Sequence, residues 1–129
     1  NGTGQLGTNE IDAFRASPVQ LSGSWIDVAS GTSHALALKA DSTLWAWGIG
    51  TNGQLGGNTA ATIGSPVQVG TLTGWTDLAA GNTISFARRS DSTLWAWGAG
   101  ASGQLADGTS ISKSSPVQIG TLATWFAVS

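Results

Sequence analysis

Apolar and polar positions alternate in short runs along this chain. In WIDVAS (25–30) and WTDLAA (75–80) every second residue shares a side, so that Trp25, Asp27 and Ala29 oppose Ile26, Val28 and Ser30. A period of two is the pattern of a β-strand. HALALK (34–39), a polar ADST turn and LWAWG (44–48) then predict a hairpin. SPVQV (65–69) predicts a further strand, with Pro66 at the first position of an edge strand, where no backbone donor is required. No segment carries a ten-residue apolar stripe at helical spacing.

These runs repeat. DSTLWAWG occupies 41–48 and again 91–98; GQL occurs at 4–6, 53–55 and 103–105, and SPVQ at 17–20, 65–68 and 115–118. Trp25, Trp75 and Trp125 are spaced 50 apart, as are Gly31 and Gly81. A fixed period of this length marks a repeat architecture, in which each unit buries its apolar surface only against its neighbours. Four short strands per ~50 residues predict a propeller blade. The expected fold is therefore all-β, with blades of four antiparallel strands within one propeller domain. Residues 1–24 end one blade with an outer strand at 17–20, residues 25–74 and 75–124 form one blade each, and 125–129 begin the next. This amounts to about two full blades with a partial blade at each end. A seven-bladed ring at this period needs about 350 residues, so the chain is expected to be an excerpt of a larger propeller or a unit whose copies assemble.

Alternation within LWAWG sends Trp45 and Trp47 from one face, and Leu44, Ala46 and Gly48 from the other. The predicted packing set is Trp25, Trp45, Trp47, Trp75, Trp95, Trp97 and Trp125, with Gly48 and Gly98. The indoles of one blade are expected to fill the slimmer, Ala- and Gly-bearing face of the following blade, since complementary large and small faces reach interior density without voids. Each buried indole removes roughly 150–250 Å² from water, about 4–6 kcal/mol as an upper bound.

Composition narrows the function more than the fold. Only 9% of the residues are charged and the net charge is −2, with Arg15, Lys39, Arg88, Arg89 and Lys113 scattered. Without a basic patch, nucleic acid is a poor partner. The absence of cysteine removes disulfides and thiolate metal sites. No run of 18 apolar residues predicts membrane insertion.

Apparent chemical motifs give way on inspection. GIGTNG (48–53) and GAGASG (98–103) spell a dinucleotide fingerprint, but GQL rather than a helix follows each, and no acidic residue stands about twenty positions on. They read as turn glycines. His34 is the only histidine, too little for a zinc site, and Ile84 stands at the same place one repeat later. Ser33 and Ser85 have no accompanying base in the sequence, so nucleophilic catalysis has no candidate constellation. Asp27, Asp77, Asp41 and Asp91 recur at the repeat spacing and suit turns and strand ends. The NGT at 1–3 matches a glycosylation sequon. No catalytic, cofactor or metal residues are expected.

In order, HALALK, LWAWG, GQLG and SPVQV closely resemble the regulator of chromosome condensation repeat, over essentially the whole chain. The resemblance implies a seven-bladed propeller that binds protein partners through its loops. It also exposes departures. The family's usual Asp-Gly turn is Asp41-Ser42 and Asp91-Ser92 here, GQLG becomes GQLA at Ala106, and Arg88 takes the place that Leu38 holds one repeat earlier. Arg88 is expected to reach an edge or meet Asp77 or Asp91. Loops 7–16, 56–64 and 106–114 differ most between repeats and are where partner contacts are expected. The leading expectation is a non-enzymatic protein-binding scaffold. The alternative is a structural component assembling through open blade edges into an oligomer or extracellular filament. Either needs the rest of the propeller, or further copies of the chain, to cover those edges. An enzyme ranks third. The Ser, Thr, Ala and Gly-rich surface resembles that of bacterial secreted members, which suggests an extracellular or cell-surface location.

Overall fold

A computed structural model of the chain describes residues 1–11, 15–122 and 124–129. Residues 12–14 of the 7–16 loop, and residue 123 of the 75–124 segment, lie outside the described residues. The fold consists of two four-stranded antiparallel sheets, with strands in sequence order. Strands β1 (Trp25–Ser30), β2 (His34–Lys39), β3 (Leu44–Gly48) and β4 (Ile63–Gln68) make the first. The second repeats it as β5 (Trp75–Ala80), β6 (Ile84–Arg89), β7 (Leu94–Gly98) and β8 (Lys113–Gln118). This is the predicted all-β propeller architecture, in two blades.

Register explains which side chains meet. In β2–β3, Ala35 lies opposite Trp47 and Ala37 opposite Trp45, while Leu36 faces Ala46 and Leu38 faces Leu44. Each blade thus has an indole face and an aliphatic face, and in the first blade small alanines leave room beside the rings. A bulge between Ala46 and Gly48 lets Gly48 pair with Ile63. For that reason β4 begins at Ile63 rather than at Ser65, and Pro66 falls inside the strand instead of at its first position. It is tolerated there because β4 is an edge.

Hairpins β2–β3 and β6–β7 close through three-residue loops. The Ser42 amide donates to the Lys39 carbonyl at 2.9 Å, and the Ser92 amide to the Arg89 carbonyl at the same distance. Ser42 and Ser92 have φ of 61° and 62°, the left-handed conformation that follows a type I turn and that glycine adopts most easily. Asp41 and Asp91 reinforce the turns, each accepting from the backbone amide and hydroxyl of the threonine two residues on. These bonds, led by the one from the threonine hydroxyl, hold both carboxyls below the usual carboxylate range.

Residues 17–20 and 125–129, expected as lone strands, form no ladder. A strand is stabilised by the strand beside it, and neither segment has one to pair with. The 50-residue correspondence nevertheless persists: the Trp125 amide donates to the Ser92 carbonyl at 3.4 Å, as the Trp75 amide does to that of Ser42 at 3.3 Å.

Candidate functional site

Two parts of the molecule bear on function: the joint between the blades, and the loops that vary. The joint is built from the aliphatic face of the first blade and the indole face of the second. Leu36, Leu38, Leu44 and Ala46 pack with Trp75, Leu78, Ala87 and Trp97, while Leu55 and Val69 close the same cluster and Trp95 flanks it. The indoles therefore enter the preceding blade, opposite to the expected direction. What receives them is a leucine-lined face rather than a hollow left by Ala and Gly. Gly48 and Gly98 have a different task, because a Cβ there would stand 2.5 Å and 2.3 Å from the carbonyl oxygens of Ser33 and Thr83, in the turns just before β2 and β6 of their own blades.

The tryptophans differ in burial although their neighbourhoods repeat. Trp97 is 0% exposed, Trp75 and Trp47 are buried, and Trp25, Trp45 and Trp95 are half-buried. Trp125 is 39% exposed. Trp75 stands edge-on to Trp95 and tilted to Trp97, with centroids 6.0 and 6.4 Å apart, and Trp25 repeats this with Trp45 and Trp47, both at 6.0 Å. Edge-to-face pairs of this kind add to area burial. Lys39 places its ammonium 3.5 Å from the Trp45 centroid and 5.0 Å from that of Trp25. A cavity of about 430 Å³ opens beside this trio, lined also by Asn9, Leu21 and Pro66.

A polar clasp locks the aliphatic joint. The loop after β3 reaches forward so that the Gln54 carbonyl accepts from the Trp97 indole at 2.8 Å and from the Ser85 hydroxyl at 2.7 Å. Farther along the same loop the Asn58 amide donates to the Ser114 carbonyl at 2.7 Å. One repeat earlier, the Gln5 carbonyl accepts from Trp47 at 2.8 Å and the Asn9 amide donates to Gly64 at 2.7 Å. The GQL motif thus holds the indole of the next repeat through its backbone, which no inspection of side-chain types discloses.

His34 also belongs to this joint, with Nε2 lying 3.0 Å from Ser85 Oγ. The structure brings a base to Ser85 that the sequence did not reveal. Its polarity is wrong for activating a nucleophile, because the serine proton goes to the Gln54 carbonyl and the imidazole must be the donor. Both side chains are sealed from solvent, His34 at 1% exposed. Burial drives the His34 pKa from 6.5 to about 4, so the ring is neutral at pH 7. Nδ1 is buried without a partner among the described residues.

Arg88 meets Asp77, Nε to Oδ2 at 2.7 Å, whereas Asp91 is engaged by Arg89 at 3.2 Å. The variable loops are mostly exposed and differ in charge. Residues 56–64 carry none, while 106–114 carry Asp107 and Lys113, 3.4 Å apart. The Thr109 amide and hydroxyl hold the Asp107 carboxyl below its ordinary range. Among the described residues no three His, Cys, Asp or Glu side chains gather to hold a metal. Nor is any helix long and apolar enough to cross a membrane.

The regulator of chromosome condensation (RCC1) repeat matches this sequence at residues 25–54 in one profile, and at 41–88 and 91–129 in another. Human WBSCR16 superposes with a TM-score of 0.77 at 26% identity, covering 93% of this chain and 33% of that one. Prp20p from Saccharomyces cerevisiae, in a structure described with its binding properties to Gsp1p and histones, gives 0.78 at 20% identity, covering 96% of this chain and 33% of its own. Yeast RCC1 (Prp20) bound to Kap60 gives 0.61 at 25% identity, covering 78% and 26%. The chain spans about a quarter to a third of the length of these relatives.

Proposed function

Because the chain belongs to the regulator of chromosome condensation (RCC1) repeat family, we propose that it is a non-enzymatic protein-binding scaffold whose partner contacts lie in its rim loops. The division of labour between joint and loops carries this reading. His34, Ser85, Trp97 and Gln54 are consumed in holding one blade to the next, which leaves the exposed stretches of loops 7–16, 56–64 and 106–114 as the surfaces free to vary. Relatives support it: Prp20p is described by its binding to Gsp1p and histones, and yeast RCC1 by its complex with Kap60. We read the weakly acidic, Ser- and Thr-rich composition as that of a bacterial protein working at or outside the cell surface. The test replaces residues 8–16, 57–62 and 107–112, the parts of these loops outside the strands and the joint, in turn with Gly-Ser segments of equal length. Protein binding lost from one replacement with the unfolding midpoint unchanged supports the proposal. Binding that survives all three, or a catalytic turnover abolished by a single polar substitution, contradicts it.

A second reading is a structural component in which further copies cover the open faces. It is favoured by Val28, 65% exposed, which occupies the place that Leu78, buried in the joint, holds one repeat later. A monodisperse 13.0 kDa species in light scattering at micromolar concentration removes it.

A further inference from the structure

We infer that Ala106 selects which blade can seat on loop 103–108: one whose side chain at the place of Trp47 and Trp97 is smaller than tryptophan. The three GQL loops share one conformation. Gly7, Gly56 and Ala106 each donate their amide to the carbonyl of the residue three before, at 3.0, 2.9 and 3.1 Å, with φ of 71°, 71° and 54°. In the first two loops the absence of a side chain is what admits the indole. A Cβ on Gly7 would stand 2.9 Å from Trp47 Nε1, and one on Gly56 2.7 Å from Trp97 Nε1, inside the distance at which carbon and nitrogen can coexist without a shift.

The indole is not free to move aside. Trp97 is fully buried and donates from that same Nε1 to Gln54, two residues before Gly56, so retreat from the methyl breaks the hydrogen bond that defines the clasp. Within the repeat a methyl on Gly56 would also press on Val69, 2.8 Å from its Cγ1, but the third repeat has adjusted to one: Ala106 keeps the same turn at φ 54°, and Leu105 and Ile119, the residue in the place of Val69, remain buried together. Ala106 therefore fits its own blade and obstructs only a tryptophan arriving from the next one. A second copy of this chain offering Trp47 is likewise unsuited, because Trp47 is already held by Gln5 and carries the same large ring.

The experiment transfers the third loop's residue into the joint where the indole is present. In the full chain, Gly56→Ala, Trp97→Phe and the double variant are unfolded in denaturant beside the wild type, and indole exchange is followed by NMR. Gly56→Ala is expected to lower the unfolding midpoint and speed exchange of the Trp97 indole proton at least tenfold. The midpoint loss caused by Gly56→Ala is expected to shrink by more than half when Trp97→Phe is present. The cycle separates steric conflict with Trp97 from the pressure on Val69 and the backbone strain of alanine at positive φ, which are the same in both backgrounds. Equal losses in the two backgrounds, or no loss from Gly56→Ala, overturn the inference.

Discussion

His34 in the first blade and Ser85 in the second, 51 residues apart, are joined by a 3.0 Å hydrogen bond in the buried joint. The serine hydroxyl is spent on the Gln54 carbonyl, so the imidazole is the Nε2–H tautomer and neutral. Replacing Ser85 by Ala strands that N–H in a site water does not reach. Ser85→Ala is expected to destabilise the chain by about 1–3 kcal/mol, read from the denaturant midpoint.

The same histidine sets a pH dependence. Its folded pKa of about 4 lies below the ordinary imidazole value of 6.5, so the unfolded chain binds the proton more readily. Stability is fully present above pH 6.5 and declines as pH falls towards 4, by up to about 3 kcal/mol at 1.36 kcal/mol per unit. His34→Leu is expected to flatten the midpoint over that window. An unchanged slope in the variant assigns the dependence to other groups.

Burial, rather than sequence identity, decides what each tryptophan of the duplicated octapeptide contributes. Trp97→Ala empties a site sealed on every side and is expected to cost about 3–5 kcal/mol. Trp95→Ala, at a half-buried position, is expected to cost less than half as much. Two midpoints measured side by side check the order.

Ser42 and Ser92 occupy positive φ at the position where the family usually has glycine. Left-handed backbone is costlier for a residue with a Cβ than for glycine, by about 1–2 kcal/mol, partly offset by glycine's greater unfolded entropy. Ser42→Gly and Ser92→Gly are each expected to raise stability by about 0.5–1 kcal/mol, additively because they lie in separate turns.

Much of this fold is legible in the sequence, and the reason is local. WIDVAS, HALALK and LWAWG declare their strands by alternation, and the period of 50 declares that there are two blades. Less visible is anything that depends on backbone groups or on the order of stacking. Gln54 acts through its carbonyl, so its side-chain chemistry carries no hint of the clasp. Direction of stacking is equally hidden, since Trp97 and Leu44 would complement each other whichever blade came first. His34 and Ser85 meet only across the joint, where a carbonyl from a third segment accepts from both Ser85 and Trp97. Arg88 shows the middle case: two carboxylates were within sequence reach, and strand pairing, with Asp77 directly opposite Arg88, chose one.

The joint is tested most directly by hydrogen exchange of the seven indole N–H groups in the folded chain. The Trp97 proton, held by Gln54 within the leucine face of the preceding blade, is expected to exchange only with global unfolding, while that of the exposed Trp125 exchanges orders of magnitude faster. Comparable rates for Trp97 and Trp125 would mean that the second blade's indole is not seated in the first.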